Sequence, residues 1–258
     1  WKRAEENLKN EIPYPVEPSK NRTEHIDASH SLLSDKEFVE KTKELLAKLK
    51  EKCPTFLFSN NILKGEIEEC IRNDVGLDLS YKAGFYSLDL IMKEKSSANI
   101  FDLGYSYSGK SFDVEKMTKD IEELAQAYYV AADIGEGEHY VLASVYDLAV
   151  NKLYEGIRAD SYANGTGLFA GKCGQQVFDE RVTIYEDRDP NAGVYGAFFD
   201  DEGVVNEGYK NVVFEKGVFK GPLASKFDAQ KYGLPASGSA SSAYDGVPQT
   251  GMGHLRVA

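Results

Sequence analysis

Histidine is scarce in this chain and poorly placed for metal chemistry. Only His25, His30, His139 and His254 occur in 258 residues. No helix between positions 140 and 253 can therefore present two imidazoles to a zinc ion. Cysteine is equally thin. Cys53, Cys70 and Cys173 are odd in number and contain no Cys-x-x-Cys pair, which argues against a zinc knuckle or a disulfide framework. Three reduced thiols in a cytoplasmic setting are expected instead. Cys173 lies in the flexible Gly171-Lys172-Cys173-Gly174, with no neighbouring base to make it a nucleophile. No apolar run approaches the roughly 18 residues of a membrane helix, and no basic flank precedes an apolar core as in a signal peptide. Basic residues number 30 against 42 acidic ones, a net charge of -12. That balance favours solubility and argues against direct nucleic-acid binding, which needs clustered Lys and Arg. Because the first residue is Trp1 rather than Met, a segment of a longer protein is expected.

What is present reads as two parts, 1–133 and 134–258. Residues 1 to about 30 are polar and carry Pro13, Pro15 and Pro18, so an extended lead-in is expected. Ser34 and Glu37 then form a Ser-x-x-Glu capping box. Phe38, Thr42, Leu45, Leu46 and Leu49 follow at helical spacing, with Lys and Glu on the opposite face. Leu77 to Lys93 alternates in two phases. Leu77, Leu79, Tyr81 and Ala83 share one phase, and Leu88, Leu90 and Met92 share the other. The switch near Gly84 predicts two strands, or one long strand with a break. A second helix is predicted from Asp113 to Ala132. The first part thus reads as helices on an antiparallel sheet, an α+β arrangement.

The second part opens on a Gly-rich acidic loop, Asp133 to His139, followed by a short strand from Tyr140 and a helix from Asp147 to Arg158. Strand-sized runs then recur at Val177-Phe178, Val182–Tyr185, Val194–Phe199, Asn211–Glu215 and Val218–Pro222. Their spacing predicts a β-rich sandwich or barrel-like domain. Ser237 to Gly253 is Ser-, Ala- and Gly-rich. It is expected to be a loop, with no core-forming element after it.

The most specific wording lies between Thr183 and Gly221. It includes Glu186-Asp187, Phe199-Asp-Asp-Glu-Gly203 and Gly217-Val-Phe-Lys-Gly221. Around it stand Ile71-Arg-Asn-Asp-Val-Gly76, Gly165-Thr166 with Phe169-Ala-Gly-Lys172, and Ala229-Gln-Lys-Tyr-Gly233-Leu234. In this order and spacing they resemble the TldD/PmbA family, whose names refer to modulation of DNA gyrase and to peptide-maturation metallopeptidases. Catalytic members of that family carry a His-Glu-x-x-x-His helix before the Gly-Thr segment. Counting back from Gly171 puts it at Val150-Asn-Lys-Leu-Tyr-Glu155, where no histidine occurs.

The resemblance therefore implies a PmbA-like (TldE-type), non-catalytic subunit. It would form a homodimer, or a heterodimer with a TldD-like catalytic subunit, with zinc only in that partner. It would take extended, unfolded peptides by strand addition along the β domain. Phe199, Asp201, Glu202, Gly203, Gly217, Lys220 and Gly221 are the implied peptide-binding or family-motif residues. Relative to the family the β domain looks truncated, so an unpaired sheet edge is expected. The alternative is a non-enzymatic dimeric binding or structural module of the same fold. A hydrolase built on Cys173 and His254 ranks last, since nothing in the sequence orients such a pair.

Other candidates have plainer readings. His25 and His30 flank Asp27 in a polar segment and read as exposed residues. His139 reads as a turn residue. The run Asp200-Asp201-Glu202 could supply acid–base groups, but a turn whose carboxylates cap backbone amides accounts for it better.

Overall fold

The computed structural model describes residues 17–29, 32–133, 135–139, 148–192, 196–243 and 246–258. Helix α1 (Asp35–Lys52) starts where the capping box places it. Ser34 Oγ accepts from Glu37 N at 3.3 Å, and Glu37 Oε2 accepts from Ser34 N at 3.0 Å. Asp35 and Glu37 sit in its first turn and Lys50 and Lys52 in its last, in the sense its dipole favours. Ser34→Ala should cost about 1 kcal/mol and lower the melting temperature by roughly 2–4 °C, read by thermal denaturation followed by circular dichroism.

Strands β2 (Phe56–Arg72) and β3 (Leu77–Glu94) form one long antiparallel hairpin whose register runs without a bulge from Phe56↔Glu94 to Arg72↔Asp78. Asn73 makes its turn: Oδ1 accepts from Val75 N and Leu77 N, and Gly76 takes φ +88. Strand β4 (Leu103–Gly109) pairs with the far half of β3 antiparallel. Strand β1 (Arg22–Ala28) pairs with its near half in parallel, from Arg22↔Leu77 to Ala28↔Ala83. The sheet is thus mixed rather than wholly antiparallel, because the extended lead-in is itself a strand. Helix α2 (Val114–Ala127) is capped by Asp113 and ends earlier than its expected limit at Ala132.

The two-phase pattern of β3 has a physical cause other than a break. Tyr86, Leu88, Leu90 and Met92 are buried under α1 and α2, packed with Leu45, Leu49, Met117 and Ile121. Leu77, Leu79, Tyr81 and Ala83 point to the opposite face and are buried against Ala197, Phe198 and Phe199. The strand is continuous, and it is the covered face that changes. Gly84 marks the crossover, where Leu32 lies over its backbone and leaves no room for a Cβ.

The later part contains α3 (Leu148–Ile157), α4 (Ala159–Ala163) and α5 (Lys226–Tyr232) beside an open four-stranded sheet. That sheet has the order β10-β5-β6-β7, made of β5 (Ile184–Asp187), β6 (Lys210–Glu215), β7 (Val218–Phe219) and β10 (Leu255–Val257). Among the described residues there is no closed barrel; α3 lies where the helix from Asp147 was expected, and α4 and α5 add to it in an α+β fold. Val177-Phe178 and residues 196–199 are not strands; Phe198 and Phe199 instead fill the core under β3. The expected strand from Tyr140 and the side chains of Leu148 and Ala149 lie outside the described residues, as does His30.

The Ser- and Gly-rich tail also differs from expectation. It forms the ribbon of β8 (Ala240–Ser241) and β9 (Gln249–Thr250), with Ser239 and Ala240 each 1% exposed. After it, β10 pairs antiparallel with β5, so the chain does add a strand after the ribbon, as the outer strand of this open sheet. Small side chains let this backbone pack closely, which an apolar count does not register.

Candidate functional site

The long sheet and the later part meet around the turn 199–203. Asp200, 1% exposed, accepts from Glu202 N (3.0 Å) and Val204 N (2.8 Å) through Oδ1, and from Ala240 N (3.0 Å) through Oδ2. Burial pushes its carboxyl above the ordinary range, against the pull of these amides and of Arg188. Asp201 Oδ2 accepts from Ser242 N at 2.6 Å, and Glu202 Oε2 accepts from Lys226 N, the first residue of α5, at 2.7 Å. The carboxylate run therefore caps amides. Gly203, at φ +69, lies against Leu77, and a Cβ there would fall 2.5 Å from Leu77 Cδ2.

Behind this turn Glu186 ends an inward run of β5. It is 1% exposed and accepts from Gly253 N (3.0 Å), Asn211 Nδ2 (3.1 Å) and Ser239 Oγ. Burial raises its pKa despite those bonds. Arg188 is the cation facing this buried acid. Its Nη1 donates to Phe199 O (3.0 Å) and Ala197 O (3.4 Å), while its Nε is buried without a partner among the described residues.

Between these groups lies a cleft of about 250 Å³. Glu69 of β2, Arg188, Asp201 and His254 bring charge or imidazole to it, and Gly196, Ser239–Ser241, Gly251 and Gly253 give it walls of small residues beside Phe199 and Met252. Burial, then the nearby Asp201, push the Glu69 carboxyl up, with Arg188 opposing. Burial, then Arg188 and Arg256, push the pKa of His254 down, with Asp187 opposing. Its ring packs on Gly196, whose φ of +121 and lack of a Cβ make the approach possible. A larger groove of about 450 Å³ runs beside α5, but its charges are already engaged. There Arg158 pairs with Asp160, and Asp228 Oδ2 accepts from Thr250 Oγ1 and Ser225 Oγ.

Of the residues implied by the sequence, Phe199, Asp201, Glu202 and Gly203 belong to this turn, and Phe199 and Asp201 line the cleft. Gly217, Lys220 and Gly221 belong to the β6–β7 hairpin instead. Gly217, at φ +76, lies under Gln176 and Phe178, and Lys220 pairs with Glu215 at 2.7 Å. Cys173 donates to Lys220 O at 3.1 Å beside that hairpin, so it is not brought to His254. His25 Nδ1 lies 2.7 Å from Ser80 Oγ, and His139 Nε2 lies 2.7 Å from Gly135 O. The sequence reading missed Glu69, Arg188 and the Ser239–Ser241 wall. The acidic Glu66-Ile-Glu-Glu69 on a strand was the available signal for the first.

Helix α3 covers the position where the resemblance puts the metal-binding helix. Its side chains there are engaged otherwise: Lys152 pairs with Glu155 at 2.8 Å, and Tyr154 donates to Thr250 O at 2.8 Å. The donor set does not fit zinc, and among the described residues no group of three or more His, Cys, Asp or Glu is placed to hold a metal. Among the described residues no helix is long and apolar enough to cross a membrane.

The chain is similar to a metalloprotease of Archaeoglobus fulgidus, 29% identical over 173 residues that cover 66% of this chain and 38% of that protein. It is similar to an uncharacterized protein of Methanocaldococcus jannaschii, 30% identical over 139 residues that cover 53% of this chain and 33% of that protein. It thus spans about a third of the length of either relative. Its fold matches TldE of Thermococcus kodakarensis with a TM-score of 0.75 at 21% identity, over 100% of this chain and 61% of that one. Residues 143–258 match the PmbA/TldA metallopeptidase C-terminal domain, so the later part of this chain carries a domain of the TldD/PmbA family.

Proposed function

We propose that this protein is a PmbA-like, TldE-type subunit that holds extended peptides for a metallopeptidase partner in the cytoplasm. The observation that carries this reading is α3, which has no imidazole where catalytic members place their metal helix, while a separate cleft gathers Glu69, Arg188, Asp201 and His254. Walls of Gly, Ser and Ala let a bound main chain approach the protein backbone closely, which suits sequence-tolerant capture of an unfolded peptide. The chain divides near Asp133 into a sheet-and-helix part and the part carrying the family domain. The acid–imidazole–guanidinium set orients and binds, and the bond-breaking step belongs to the partner.

Purified alone, the chain should hold well under one zinc per molecule by elemental analysis and leave a labelled unfolded peptide intact. Co-purified with a TldD-like neighbour, it should form a larger particle by light scattering and support cleavage. Stoichiometric zinc, or cleavage by the chain alone, would overturn the reading. A stable homodimer that binds peptide but never engages such a neighbour would favour the non-enzymatic module.

A further inference from the structure

β2 is an outer strand of the long sheet. Among the described residues nothing pairs with its free edge, and its 17 residues contain neither Pro nor a bulge. Such an edge is a template for another strand unless something blocks it. Its last third carries Glu66, Glu68 and Glu69. Glu66 is neutralised by Lys82 at 3.0 Å. Glu69 is half-buried and has no hydrogen-bond or ion-pair partner among the described residues. It shares the sheet face of Ile71, which packs on the Phe198 core, so its carboxylate points into the cleft toward Asp201. Directly across the strand pair stands Tyr81, 1% exposed, whose hydroxyl also lacks a partner among the described residues.

These features select the occupant. A residue added opposite Glu69 on the free edge would direct its side chain to the same face, into the cleft. A second copy of this chain is disfavoured, because two-fold pairing at this end would set the two acidic runs side by side. Arg188 offsets that acidity only in part. Its guanidinium is tied to Ala197 O and Phe199 O and faces the buried Glu186 and Asp200, which leaves Glu69 and Asp201 at the mouth.

We propose that the free edge of β2 around Glu69 adds an extended polypeptide strand and that the cleft selects a Lys or Arg side chain on it, held between Glu69 and Asp201. This rests on the peptide-binding reading and names its substrate class. It also places the added strand on the long sheet rather than on the later part.

The test is fluorescence anisotropy of the chain alone with short unstructured peptides that differ only in a central Arg, Gln or Glu. Arg should bind about tenfold tighter than Gln, the size of one charge-assisted contact, and Glu weakest of the three. Glu69→Gln and Asp201→Asn should each remove most of the preference for Arg over Gln, and added salt should do the same. N-methylation of alternate backbone amides of the Arg peptide should abolish binding. Equal binding of the three peptides, or a charge preference that survives Glu69→Gln, would overturn this inference and leave the peptide-holding reading standing. Absence of binding by any of them would overturn both.

Discussion

Phe198→Ala should unfold the junction between the long sheet and the later part, at a cost of about 3–5 kcal/mol and a fall in melting temperature of at least roughly 6 °C. Phe198 is fully buried. Its ring meets Phe199 at 5.0 Å, Tyr209 at 5.8 Å and Tyr81 at 6.4 Å between centroids, in edge-on arrangements that add to simple area burial. The truncation would leave a void between β3 and the turn at Asp200 that rigid strands cannot close. Phe101→Ala is the matched control, because Phe101 is 61% exposed; its change should stay within about 0.5 kcal/mol. Urea titration of both variants reads the difference. Equal midpoints would show that Phe198 does not hold the two parts together.

Asp200→Ala should be the second large effect. It leaves the amides of Glu202, Val204 and Ala240 without their acceptor, and one orphaned buried donor costs about 1–3 kcal/mol. A loss near 3 kcal/mol is expected, with a less ordered Ser239–Ser241 wall. The effect should depend on pH in a definite sense. Burial raises the native pKa of Asp200 above its unfolded value, so the native state binds the proton first as pH falls. The wild-type chain therefore gains stability between the raised native value and the ordinary carboxylate range, and the alanine variant lacks that gain. The gap between the two should widen as pH falls through that window. A gap that narrows would mean that the ionised form is the better accommodated one.

The helix caps show how far local sequence can be read. Ser34, Glu37 and Asp113 cap helices within three residues of themselves, and the chain spells such features out because the interacting atoms are neighbours. The alternation of β3 was equally legible, including the switch near Gly84. Its meaning was not, since a change of phase looks the same whether a strand breaks or its covered face changes. The strand from Leu255 and the burial of Ser239 and Ala240 were missed for a different reason. Small residues bury through close backbone contact, not through the apolar side chains that periodicity counts.

The sequence by itself determined the capped helices, the long alternating strand, the motif order of the family and the lack of paired histidines on α3. All of these are local or compositional. The tertiary structure alone decided that β1 joins the sheet in parallel, that the 199–203 turn lies under β3, and that Glu69 of β2 faces Arg188, Asp201 and His254 across one cleft. Those residues come from distant stretches of the chain. What sets them together is the burial of Phe198 and Phe199 on the face of β3 that the helices leave open, a preference carried by packing and by no local pattern.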